Sequence, residues 1–543
     1  MRFSAIVALG LTLALTLVEA RAGRFTGTPA AQAEIAKAKT LEQTNDWAEA
    51  AKVYRHAIDL DPEFTAAHEG YIWALHRAAL GDLSRLTKMS AAEHQELETR
   101  LKAKDDALIK EYEDLVRAHP TAPIYKWALA QNYNETNIDL QERLCRESVA
   151  LDATFSPGYN CLATAALVRG DIATAEPNLR RVMAIDGESN DQWLRLQRSV
   201  REVPDRYKAV TDEITSHMPG TDTAAEALEA YAESQPTARR IPAFEHLIST
   251  YPPAKFSASS HAAAELFAYY DTIDPVRAAN LAHSVAAAMP KDNAWKGAAA
   301  YSDAMAAAEK QISTDAQGAL TTLKTVKVPS SVSRARLQLL TARATDRAGN
   351  TAAAYGDLVK AFAAEPLPQV EPAIYEYGAK LNKNHAAVDA EIVAARSAAA
   401  KPATPFSLES FVDGKTVSLS DFSGRVVLLD FWYPNCGPCR GSMPYLQQLW
   451  HKYQDQGLVF LGINGLENQA PQVMPLVKNL GWSFTPLKGT EKWADEVYHV
   501  RGYPTTFYIG RDGRVYFMTH VYNEATMAIA DLEIKALLKM SGR

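Results

Sequence analysis

Cys436 and Cys439 stand two residues apart in the stretch FWYPNCGPCR, Phe431 to Arg440. Two thiols at that spacing suit redox chemistry, because a thiolate that attacks a disulfide needs a second thiol close by to resolve the mixed product. The same spacing also serves as half of a metal site, or arises without purpose, so the two cysteines alone leave three readings open. The surroundings narrow them. RVVLLDFWY (Arg425–Tyr433) is a nearly continuous β-prone apolar run, which predicts a central strand buried on both faces. CRGSMPYLQQLWHKYQDQG (Cys439–Gly457) puts Met443, Leu446, Leu449, Trp450 and Tyr453 on one side of a helix. The pair therefore falls where a strand meets a helix N-terminus, and free backbone N–H groups there favour a thiolate. Cys436, at the outer end, is assigned as the attacking nucleophile. Cys439, one turn inside the helix, is assigned as the resolving thiol, and the two form the redox-active disulfide. Gly437 and Pro438 permit the tight approach between them.

The elements that must hold this pair continue in order. LVFLGIN is a second strand and PQVMPLVKNLG a second helix, ended by Gly481. EKWADEVYHVRG is a short helix, TTFYIGRDGRVYFMTH two strands around Asp512-Gly513, and NEATMAIADLEIKALLKM a closing amphipathic helix. That order predicts a mixed sheet with helices on both faces.

Residues 403–543 resemble the exported, TlpA/ResA-like branch of the thioredoxin fold. The resemblance is carried by DFW before the cysteines, by CGPC itself, by Pro444 five residues later, and by RGYPTTFYI downstream. FSLESFVDGKTVSLSDFSGR resembles the extra N-terminal hairpin of the exported relatives. The resemblance implies that Asp430 is a buried acid exchanging protons with Cys439. It implies that Pro504 is cis and faces the dithiol, with the Tyr503 backbone offered to a substrate segment. Trp432, Asn435, Gly437, Pro438 and Tyr503 are expected along the substrate rim. Asn435 departs from the tryptophan usual in the family, and no lysine matches the one some thioredoxins keep near the acid. Glu467 lies near an active-site acid of some relatives, but reads as a surface loop acid.

The chain has 543 residues, too many for one core, so several domains are expected. A hydrophobic fraction of 47%, a charged fraction of 22% and a net charge of −7 exclude disorder and give no electrostatic basis for nucleic-acid binding. Arg2 followed by an apolar stretch from Ala5 to Val18 and small-x-small sites reads as a cleaved signal peptide over residues 1–22. The protein is expected to be periplasmic or secreted, with no membrane span after cleavage.

Residues 23–397 are alanine-rich with helical spacing. WAEAAKVYRHAIDLDP, GDIATAEPNLRRVMAIDG and GNTAAAYGDLVKAFAAEP share residue classes at shared offsets, and SVALD and VMAID end 34 residues apart, at Asp152 and Asp186. This resembles the tetratricopeptide repeat, a helix-turn-helix unit of that period. It implies an all-α solenoid whose concave face binds a protein client or partner. Leu80–Thr99 reads as an insertion, and residues 200–340 as helix pairs with weaker signals. Cys145 and Cys161 fall on neighbouring helices of adjacent units, within reach of a structural disulfide. A Pro402- and Pro405-containing linker over 398–405 separates the solenoid from the α/β thioredoxin fold of 406–543.

The expected activity is therefore thiol–disulfide exchange with protein thiols, leaning towards reduction, fed by an extracytoplasmic electron donor. No metal or other cofactor is called for. A zinc site lacks a second ligand pair. A peroxiredoxin-like thiol peroxidase lacks the threonine-bearing loop before a single cysteine. A non-enzymatic scaffold that uses the thioredoxin-like domain for docking is the remaining alternative.

Overall fold

The computed structural model describes residues 25–81, 91–133, 137–520 and 524–540. The signal-peptide reading falls outside these residues, and no described helix is long and apolar enough to cross a membrane.

From Pro29 to Ala399 the described chain is a series of antiparallel helix pairs. The turn inside several pairs has one recurring design. Asn45, Gly170 and Gly349 adopt positive φ, and the next residue, Asp46, Asp171 or Asn350, caps the following helix through its side chain. A left-handed residue followed by a short polar acceptor reverses the chain and satisfies one of the orphan N–H groups. Helices then pack closely through small residues: Ala50, Ala57, Ala67, Ala163, Ala175 and Ala354 are all buried. At Gly70 a Cβ would fall 2.2 Å from the Tyr54 ring, so a glycine is required where that aromatic meets the next helix. The weaker sequence signals over 200–340 correspond to regular helices, of which Pro204–His217 packs into one buried cluster and the later ones share another that is rich in alanine. Ala91–Ala118 is a 28-residue helix, twice the length of Trp47–Leu60, and its first turns lie within the stretch read as an insertion, Leu80–Thr99.

The last helix of this series, His385–Ala399, leads into the C-terminal domain. Strands are β1 (Lys401–Pro402), β2 (Ser407–Glu409), β3 (Thr416–Ser418), β4 (Val426–Trp432), β5 (Leu458–Asn464), β6 (Thr485–Lys488), β7 (Thr505–Ile509) and β8 (Arg514–Thr519). Helices are α1 (Gly437–Tyr453), α2 (Ala470–Asn479), α3 (Glu491–Tyr498) and α4 (Glu524–Lys539). The main sheet runs β1-β8-β7-β4-β5-β6, with β4, β5 and β6 parallel and β7 and β8 antiparallel. All seven residues of β4 are buried, as expected of a central strand covered on both sides. Val426, Leu428 and Trp432 join the core formed with α1, α2 and α4. Val427, Leu429 and Phe431 join the opposite core, with Phe406 and residues of α3. The segment 398–405 is not an open linker. It contains the end of the last helix and β1, which pairs with Val515 and Arg514 of β8.

Among the described residues, the helical region touches the C-terminal domain both near the junction and far back in sequence. Near the junction, Arg514 donates to the Ser397 carbonyl at 3.1 Å, and the Arg396 guanidinium lies over Phe517. Far back in sequence, turns at 167–170 and 200–203 meet α1 and α2. Asn479 donates to the Arg169 carbonyl at 2.8 Å. A Cβ at Gly170 would lie 2.9 Å from Leu480.

Candidate functional site

Cys436 is the N-cap of α1, with its N–H bonded to the Tyr433 carbonyl and its Sγ accepting from Cys439 N at 3.1 Å. Pro438 sits in the first turn, where a missing N–H costs nothing because that group has no helical partner. The two sulfurs are bonded, with Cα atoms 5.2 Å apart. Cys436 is 3% exposed and Cys439 1%, while Gly437 and Pro438 are open to solvent. Access to the pair is thus from the Gly437–Pro438 side.

Tyr503-Pro504 is a cis peptide bond. Thr505 pairs with Phe431, so this loop lies at the C-terminal end of β4, the end from which the cysteine loop departs. Tyr503 meets Tyr433 edge-on at 5.3 Å and packs against the core that includes both cysteines. Gly465 makes room for it, since a Cβ there would lie 2.3 Å from the Tyr503 hydroxyl.

Asp430 is buried on β4, on the same side of the strand as Leu428 and Trp432 and hence on the α1 side. Thr506 donates to its Oδ1 at 2.6 Å, and its Oδ2 has no hydrogen-bond partner among the described residues. Burial pushes the Asp430 carboxyl up to about 7, opposed by the Thr506 bond. A carboxyl poised there can hold or release a proton near neutral pH.

Trp432 corrects the expected rim. It is fully buried, edge-on to Trp482 and Phe484, because its place in the β4 alternation turns it into the core. Asn435 is half-buried, and its N–H donates to Gln469 Oε1 at 2.9 Å. Glu467 is half-buried in a short 3₁₀ turn rather than on an open loop. Cys145 and Cys161 are bonded to each other, with Cα atoms 6.1 Å apart, and join Ile138–Leu151 to Ser156–Val168.

The contacts of three residues were not legible from the sequence. Gln469 anchors the loop before Cys436. Arg440, directly after Cys439, donates to Glu202 Oε1 at 3.0 Å through Nε and lies 2.9 Å from it through Nη2. It also donates to the Leu167 carbonyl at 2.7 Å. Burial draws the Arg440 guanidinium down, and Glu202 opposes that. Arg201 Nη2 donates to the Gly437 carbonyl at 2.8 Å. The available signal was a charged residue abutting CGPC, with nothing to indicate its partner.

Residues able to hold a metal lie elsewhere. Among the described residues, Glu229, Glu233 and His261 bring ligand atoms within 4.8 Å of one another. His261 is already bonded to Glu229, which lifts it to about 9 and leaves it a protonated ion-pair partner at neutral pH.

Residues 399–518 match the model of the AhpC/TSA family. The chain is 33% identical over 110 residues to the thiol-disulfide oxidoreductase ResA of Bacillus subtilis, covering 20% of this chain and 60% of that protein. It is 35% identical over 106 residues to ResA of Bacillus thuringiensis subsp. konkukian, covering 19% of this chain and 60% of that protein. The chain thus spans less than two thirds of either relative. A solved thiol:disulfide interchange protein of the thioredoxin family from Chlorobium tepidum is 27% identical. It covers 26% of this chain and 97% of its own, with a TM-score of 0.23. After a long helical region, the chain therefore carries at its C-terminus a thioredoxin-fold domain of the AhpC/TSA family, with homologues among the ResA thiol–disulfide oxidoreductases.

Proposed function

We propose that this protein is an exported thiol–disulfide oxidoreductase that exchanges disulfides with protein clients through Cys436 and Cys439. One observation carries the reading: a bonded cysteine pair caps α1 beside the cis Tyr503-Pro504 loop. In the reducing direction, the Cys436 thiolate attacks one sulfur of a client disulfide. A Cys436–client bond forms, the client bond breaks, and the departing sulfur takes a proton. Cys439 then loses its proton, with Asp430 as acceptor, and attacks Cys436 Sγ. The internal disulfide closes and the second client thiol leaves. Two electrons and two protons pass to the client, and an extracytoplasmic donor restores the dithiol by the reverse exchange.

The rim is formed by Asn435, Gly437, Pro438 and Tyr503, with the Tyr503 backbone offered to the client. The helical region is read as tetratricopeptide-like, with a binding role for clients or partners, and Cys145–Cys161 as its structural disulfide. CGPC favours a reducing potential, nearer the thioredoxin end of about −270 mV than the oxidant end of about −120 mV.

The test is the potential of the Cys436–Cys439 pair, with insulin reduction by wild type and Cys436→Ser. Wild type is expected to turn over and Cys436→Ser to be inactive. A potential at the oxidant end would reverse the direction. Absence of turnover in wild type would favour the docking scaffold.

A further inference from the structure

Arg201, Glu202 and Arg440 converge on the first turn of α1, although Arg440 is 238 residues from Glu202 in sequence. Glu202 and Arg440 are nearly excluded from water, at 9% and 11% side-chain exposure, and share two close contacts. Arg201 is more open, at 34%, and its Nε is 3.7 Å from the same Glu202 oxygen. One carboxylate faces two guanidinium groups, so the cluster keeps a net positive charge. Arg201 places its share on the carbonyl of Gly437, the residue next to Cys436.

We propose that Arg201, contributed by the helical region, is a positioning residue for the dithiol: it fixes the Gly437 carbonyl and stabilises Cys436 as a thiolate when the disulfide opens. The inference rests on the exchange reading above. A nearby cation favours the ionised thiol, and screening is weak around a sulfur that is almost fully buried. The Cys439 N–H already donates to that sulfur, so the charge adds to an existing stabilisation. Stabilising the reduced form makes the disulfide a better oxidant. The helical region then sets the redox poise of the domain it carries, and moves it away from the value CGPC alone would give.

The test uses the full chain as wild type, Arg201→Gln, Arg201→Lys and Arg343→Gln. Each is equilibrated with glutathione buffers, alkylated, and read as the oxidised fraction of the Cys436–Cys439 peptide. Thiolate absorbance against pH follows Cys436. Arg201→Gln is expected to shift the equilibrium threefold or more towards the disulfide and to weaken Cys436 ionisation by a similar factor. Arg201→Lys keeps the charge and should recover most of both effects. Arg343, on the helix Ala335–Arg347 and paired with Glu309, should behave as wild type. Arg201→Gln within twofold of wild type overturns the proposal, as does Arg201→Lys behaving like Arg201→Gln. A wild-type pair that does not exchange with glutathione overturns the exchange reading itself.

Discussion

Asp430 ties the proposed chemistry to stability. Below about pH 4 its carboxyl is protonated in both the folded and the unfolded chain, and above about 7 it is charged in both. In between, the folded chain keeps a proton that the unfolded chain has released, so stability falls as pH rises. A rise from 3.8 to about 7 corresponds to roughly 4 kcal/mol across that window. Asp430→Asn should remove this slope and stabilise the protein at pH 8, while slowing exchange. Denaturant titrations at pH 4, 6 and 8 read the first effect, and insulin reduction the second. Burial also pushes Glu533 up, to about 8, so Glu533→Gln is the variant that separates the two contributions. Gly465 offers a second test. Gly465→Ala should force the Tyr503 hydroxyl back and cost about 1–3 kcal/mol, as overpacking does, with slower turnover. Unchanged stability would mean that Tyr503 moves freely. At this scale the sequence was informative where one residue has one role. Cys436 and Cys439 could be picked out from a strand–turn–helix context, whereas the roles of Asp430 and Pro504 came from the family resemblance. Trp432 could not be placed, because a strand buried on both faces carries no polar–apolar alternation to mark where burial ends.

Among elements, the disulfide Cys145–Cys161 closes a short loop between two helices and lies in the core. A loop of this size is worth about 3 kcal/mol in the chain-entropy account. Cys145→Ala/Cys161→Ala should lose roughly that much stability, read by urea denaturation, and leave the potential of the other pair unchanged. A shifted potential would show that the helical pairs near α1 transmit strain to it. Helices were legible because the spacing of alanine and other apolar residues is a local signal, as in Trp47–Leu60 and Ile172–Asp186. The strand β6 was missed. It is four residues long and contains Pro486, and it exists because it pairs with β5 on one side and its Leu487 bridges Ser410 on the other.

For the whole molecule, the Arg440–Glu202 pair is an ion pair nearly excluded from water that links the dithiol helix to the helical region. Breaking a buried pair costs about 3–5 kcal/mol because the remaining charge is stranded. Arg440→Ala should therefore destabilise the full chain by that order. The same change in a chain beginning at Lys401 should cost far less, since Glu202 is then gone. Equal losses, read by denaturation of both chains, would locate the role of Arg440 within its own domain. The shortened chain should still reduce insulin but react more weakly with a native client. This long-range link was beyond sequence reasoning, because no local pattern relates positions more than two hundred residues apart.

The way the sheet ends has a separate consequence. At one margin β1 covers Arg514 and Val515 of β8, and at the other Ser410 and Phe411 bond to β6. Unpaired sheet margins are templates for self-association. The segment that delivers the chain from the last helix is thus also a guard strand. A protease cut between Ala403 and Thr404 would free that guard, and the released domain should then gain a tendency to pair edge to edge with its own copies.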